Sequence, residues 1–216
     1  MHLLLILRRV LIIVGVVSMF YWKLLGIALF ILVGLFSLVM LAKESIKEVN
    51  HFPSGFWLFI ISEAIAFGTL LYICSNSEEE GSGYLASWIE SPLLACLLLT
   101  GSSVTLTTYH HYLGTWHCRI YLFLTIVLGS LFMLLQVFEF YDCSTDATFS
   151  LYMAVCFCTV GLHFLHVLLG LTVLSIVFSL GPDEVSKATI DYMVWYWHFV
   201  DYIWLLVYLI IYFTAL

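Results

Sequence analysis

From Tyr192 to Phe213 the chain runs through 22 residues in which His198 and Asp201 are the only His, Asp, Glu, Lys or Arg side chains. About 20 apolar residues cross the hydrocarbon of a bilayer as a helix. In lipid only helices and closed barrels satisfy their own backbone, so a run of this length leaves little choice of fold. An ionisable side chain at membrane depth costs a few kcal/mol, roughly, and therefore faces protein or water and often has a task.

The rest of the chain follows suit. Of 216 residues, 63% are hydrophobic and 10% charged, where a soluble domain carries about 25% charged. The apolar runs place spans at 3–21, 24–42, 56–74, 92–112, 120–140, 148–180 and 192–213. The first two are separated only by Lys23 and Gly26, so one long bent helix there would lower the number from seven to six. No internal repeat is visible, which takes support from a transporter built of inverted repeats.

With seven spans, the N-terminus and the second, fourth and sixth connections share one side. Arg8, Arg9, Lys43, Lys47, Arg119 and Lys187 lie there, while Lys23 lies opposite with Glu78, Glu79, Glu80, Glu90, Glu139, Asp142 and Asp146. The positive-inside rule puts the N-terminus on the matrix or cytoplasmic side. Trp22, Trp57, Trp88, Trp116 and Trp195 stand near span ends as an aromatic belt. The stretch 75–91, with three consecutive glutamates, reads as a solvated loop. The net charge of −7 is spread over connections, and no basic patch points to nucleic acid. Arg8 and Arg9 follow the apolar start rather than lead it, so no cleavable targeting signal is expected.

Cys74, Cys96, Cys118, Cys143, Cys156 and Cys158 show neither C-x-x-C nor zinc spacing, which argues for small packing residues rather than a disulfide framework. The polar groups within spans are more informative. Glu63 lies about a third of the way along the third, as a proton-linked or lipid-facing carboxylate or as a hydrogen-bonded tie between helices. His198 and Asp201 are three residues apart and share a helix face, as do His163 and His166. His198 and Asp201 are expected to reach other helices, and Gln136 and Glu139 near the end of the fifth span to satisfy polar groups across a helix interface. Gly161 and Gly170 bracket the histidine pair and read as close-packing positions. His110, His111, His117, His163, His166 and His198 also invite a metal reading, but no H-x-x-H-H box is present and bundle metal sites need carboxylates in register.

Five segments, in order, resemble cytochrome c oxidase subunit III. They are Phe56-Trp-Leu-Phe-Ile-Ile-Ser-Glu63, Gly101-Ser-Ser-Val-Thr-Leu-Thr107 followed by His110-His111, and Leu134-Leu-Gln136-Val-Phe-Glu139-Phe-Tyr141. Gly161-Leu-His163-Phe-Leu-His166-Val167 and Trp195-Tyr-Trp-His-Phe-Val-Asp201 complete the set. The resemblance implies an all-α membrane protein, a seven-helix bundle split by a lipid-holding cleft into a two-helix part, 1–42, and a five-helix core, 55–216. It implies a non-redox subunit that supports subunit I and sustains proton uptake, in contact also with subunit II and accessory subunits. Haem a and copper would belong to those partners, and phospholipid would bind here. Glu63 falls where the family has a buried, carbodiimide-reactive carboxylate. His110, His111, Gln136, Glu139, His163, His166, His198 and Asp201 would form the polar packing core, with no metal and no catalytic residue.

The chain departs from the pattern in being short, in Gly181-Pro-Asp-Glu where a basic run is common, and in Phe164 where the family has a second glycine. The short format resembles mitochondrial members, which implies the mitochondrial inner membrane; the bacterial plasma membrane is the alternative. Rival readings are a quinol-oxidase subunit III, a histidine-rich metalloenzyme and a proton channel resting on Glu63 and Asp201. Residues 1–42 favour the cytochrome c version over the quinol one.

Overall fold

A computed structural model describes residues 53–77, 89–115, 117–143, 150–181 and 185–213. The chain divides into two units, Met1–His51 and Phe52–Leu216, and the described residues all belong to the second. The first two expected spans lie outside the described residues.

Five helices follow one another: α1 Pro53–Asn76, α2 Ser91–His111, α3 Cys118–Asp142, α4 Leu151–Leu180 and α5 Lys187–Val207. α5 runs directly into a π-helical turn, Tyr208–Phe213. There is no strand among the described residues. Each helix, with the π turn counted into α5, is long and apolar enough to cross a membrane. The chain is embedded in one.

These helices are apolar around their whole circumference, so polarity cannot tell their inner faces from their outer ones. Outward positions carry Leu58, Ile61, Ile65, Leu97 and Val104, as lipid-facing surfaces do. Inward positions carry large rings and small residues together. The Trp197 indole is buried between α3 and α4, where Gly129 and Gly170 make room for it. A Cβ on Gly129 would stand 2.8 Å from Leu171 and 3.0 Å from the Trp197 ring, and one on Gly170 would stand 2.8 Å from that ring. Gly161 differs from the expectation: a Cβ there meets nothing within 4 Å, so only one of the bracketing glycines is a close-approach site.

Helix packing arranges α4 against α1, α3 and α5, and α2 against α3 and α5. α5 thus has neighbours on most sides. The ends are set locally. Ser150 accepts a hydrogen bond from the Met153 N–H (3.1 Å) and Ser186 one from the Thr189 N–H (3.2 Å), capping α4 and α5. Gly181 closes α4 at φ 91°, in the region that favours glycine, and its bare Cα lets the Arg119 guanidinium approach.

α1, α3 and α5 with its π turn exceed the apolar runs by a few residues. α2 matches its run within one residue at each end, and α4 begins at Leu151, three residues after the expected start. α5 begins at Lys187, before the expected Tyr192, because hydropathy stops at the first charges while backbone hydrogen bonding continues through them.

Candidate functional site

The polar side chains of the spans are dealt out to separate interhelical contacts, and those between α2 and α5 at Ser102 and Thr107 share a device. A serine or threonine within a helix spends its only hydrogen on its own backbone, leaving a lone pair for a neighbour. On α2, Ser102 Oγ–H donates to the Leu99 carbonyl (2.6 Å) and Thr107 Oγ–H to the Ser103 carbonyl (2.9 Å). Each then accepts from α5: Ser102 Oγ from Trp197 Nε1–H at 2.9 Å, and Thr107 Oγ from His198 Nε2–H at 3.2 Å. Asp201 is buried on the same α5 face, near Ser103 and Thr100 of α2, with its Oδ1 in no hydrogen bond. The expected shared face of His198 and Asp201 is therefore the α2-facing one.

His163 and His166 also share a face, since the ring of Phe67 on α1 packs edge-on against both. Their partners differ. His163 is wholly buried, between Phe132 and Trp204, and donates Nε2–H to the Val200 carbonyl of α5 at 3.0 Å. His166 donates Nδ1–H to the Leu162 carbonyl at 2.8 Å, and its own carbonyl accepts from the Tyr196 hydroxyl at 3.2 Å. Those bonds hold the ring in place with Nε2 turned to α1.

There Nε2 meets Glu63 Oε2 at 3.2 Å. Because Nδ1–H is committed to a carbonyl, which can only accept, the Glu63–His166 contact contains one proton. It sits on the carboxyl with a neutral ring, or on the imidazolium with a carboxylate. Both forms are neutral as a pair, which is the condition for an ionisable pair to persist in lipid. Unlike the deeper groups, this pair is reachable: the Glu63 side chain is 26% exposed and that of His166 13%. The contact can hold one proton between two helices at a partly exposed position.

Two further contacts lie nearer the helix ends. Glu139 of α3 is buried and its Oε1 accepts from the Tyr212 hydroxyl at 2.5 Å, with Gln136 and Ser91 beside it. The π turn is what carries Tyr212 inward to that position. His110 of α2 donates Nε2–H to Asp191 of α5 at 2.7 Å, half-buried. His111 points outward and meets the ring of Tyr112, outside the polar core expected for it.

Among the described residues no three His, Cys, Asp or Glu side chains converge as metal ligands would. His110, His163, His166 and His198 each face a carboxylate, a carbonyl or a hydroxyl on another helix.

A family model for cytochrome c oxidase subunit III matches residues 3–216. The chain belongs to the cytochrome c oxidase subunit III family. It is similar to the cytochrome c oxidase subunit 3 of Ovis aries, 33% identical over 195 residues, covering 79% of this chain and 75% of the relative. The Mammuthus primigenius protein of that name is 35% identical with the same coverage, and the Felis catus one 33%. Within this subunit III chain, the segments that carry the resemblance coincide with the interhelical contacts just described.

Asp191 and Tyr212 escaped the sequence reading, and Ser102, Thr107 and Trp197 entered it only within matched segments, without a role of their own. The Ser186-x-x-Thr189 cap could have moved the start of α5 back far enough to put Asp191 on a helix. For Tyr212 the sequence holds no such signal, because the π turn that places it has no local signature.

Proposed function

We propose that this chain is the non-redox core subunit III of a mitochondrial cytochrome c oxidase, lying against subunit I in the inner membrane with subunit II and accessory subunits nearby. Its N-terminus faces the matrix; the two-helix part expected at 1–42 lies outside the described residues, and 55–216 is the core. Haem a and copper reside in the partners, which carry electrons from cytochrome c to oxygen. The family membership and the separate pairing of His110, His163, His166 and His198 support this reading.

The role proposed here for the chain's own chemistry centres on Glu63. One proton held between Glu63 and His166, at a partly exposed position, is suited to sustaining proton delivery over many turnovers. Phospholipid fits the residues present. An apolar cavity of about 210 Å³ opens between α1, α4 and α5, lined by Phe56, Phe59, Leu169, Val173, Tyr192 and Trp197. Its walls suit an acyl chain, and the Trp57–Trp195 pair beside it, 5.3 Å between rings, is of the interfacial type that meets headgroups.

The test is purification in mild detergent through a tag on this chain, with an absorption spectrum and metal analysis before and after the partners are stripped away. Haem a and copper that leave with larger partner chains are the expected result. Iron or haem retained by the isolated chain would replace this reading with a metalloenzyme. Oxidation of quinol but not of cytochrome c by the intact complex would move it to the quinol branch.

A further inference from the structure

α1 and α4 run antiparallel along one seam, and the contacts climb it in order. Residues 63, 67 and 74 of α1 meet 166, 163 and 156 of α4. The last of these contacts joins two sulfurs: Cys74 Sγ and Cys156 Sγ lie 3.1 Å apart, both buried. Neither the family resemblance nor the spacing of the cysteines pairs them, because 82 residues separate them in the chain.

We propose that Cys74 and Cys156 are an oxidisable dithiol that closes to a disulfide clamping α1 to α4. A disulfide is about 2.05 Å long, so closure asks the sulfurs to approach by on the order of 1 Å. Each helix is locked in register by the Phe67 and Glu63 contacts further along, so the two thiols are held face to face rather than meeting by chance. Cys74 lies within the last turn of α1, just before the polar Ser75, Asn76 and Ser77, so the helix end is the side from which a small neutral oxidant would enter the buried seam. The charge asymmetry places that end on the side opposite the basic connections, and non-cytoplasmic faces are where disulfides form and persist.

The reaction needs a two-electron oxidant, and a peroxide supplies it. One thiol sulfur is first oxidised to the sulfenic acid as the O–O bond breaks and one water leaves. The second sulfur then attacks it, the S–S bond forms and a second water leaves. Two thiols and one hydrogen peroxide thus give one disulfide and two waters.

The experiment treats the intact oxidase complex in mild detergent with hydrogen peroxide, denatures it in excess maleimide and digests it for mass spectrometry. The expected result is a Cys74–Cys156 linked peptide, two hydrogens lighter than its dithiol parts and released by a phosphine reductant. It should rise several-fold over the untreated complex. Cys158→Ser, which alters an exposed thiol two residues from Cys156, should leave the link intact, and Cys74→Ser should abolish it. The inference is overturned if Cys158 is oxidised while Cys74 and Cys156 both come back as separate adducts. It is equally overturned if Cys156 is found linked to another cysteine. The wild-type measurement decides the matter even if Cys74→Ser fails to assemble, and it does not depend on the role given to Glu63.

Discussion

α1 and α5 are both membrane helices with ionisable residues at mid-length, yet they sit in opposite situations. Of the most apolar stretch of α1, 11% is buried, against 50% in α5. α5 drives its donors into a row of hydroxyls on α2 and its Trp197 into a socket of two glycines, with Asp201 sealed among them. α1 brings Glu63 to a single imidazole at the edge of the bundle. The difference teaches that polarity at membrane depth does not carry one meaning. Where a side chain is enclosed and its partners are hydroxyls, it holds helices together. Where it is partly open and faces an imidazole, as Glu63 does, it is the position for which a proton-holding role is proposed.

The strongest way to break this comparison is at Trp197. Replacing it with Ala empties the socket, a change on the scale of about 3–5 kcal/mol, and assembled complex should fall severely as judged by native electrophoresis. Gly170→Ala or Gly129→Ala pushes a methyl into rigid ring or leucine atoms and should cost about 1–3 kcal/mol, seen as a lower melting temperature. Gly161→Ala is the matched control. With nothing within 4 Å it should be neutral or slightly stabilising, by up to about 1 kcal/mol from helix propensity. Equal losses at Gly161 and Gly170 would show that the socket is not what makes the glycines matter.

Smaller effects sharpen the polar side. Thr107→Val removes the acceptor for His198, and interhelical hydrogen bonds in membranes average about 0.6 kcal/mol, so a melting shift near the limit of detection is expected. A hydrophobic carbodiimide should label Glu63 and spare the enclosed Glu139 and Asp201, which peptide mapping reads without any stability change. Labelling of Glu139 at a similar rate would erase the distinction between open and enclosed carboxyls.

Much of this was legible in the sequence for a physical reason. Lipid replaces the alternation of polar and apolar faces with length alone, so the five described spans could be placed within a few residues. Faces were legible too, because helical spacing puts His163 with His166 and His198 with Asp201. Partners were not. That His198 would meet Thr107, 91 residues away, depends on the register between two helices whose apolar surfaces offer many registers. The Cys74–Cys156 approach is of the same kind. Gly161 and Gly170 look alike in sequence, and only the position of one indole separates them.

The central claim is that Glu63 sustains turnover without taking part in it. It is tested most directly by oxygen consumption of the assembled oxidase carrying Glu63→Gln, followed from the first turnovers to prolonged steady state. Full haem content, a largely retained initial rate and faster decline during sustained turnover are predicted. A fully assembled mutant with no activity from the start would give Glu63 a direct role, and a rate unchanged throughout would leave it none.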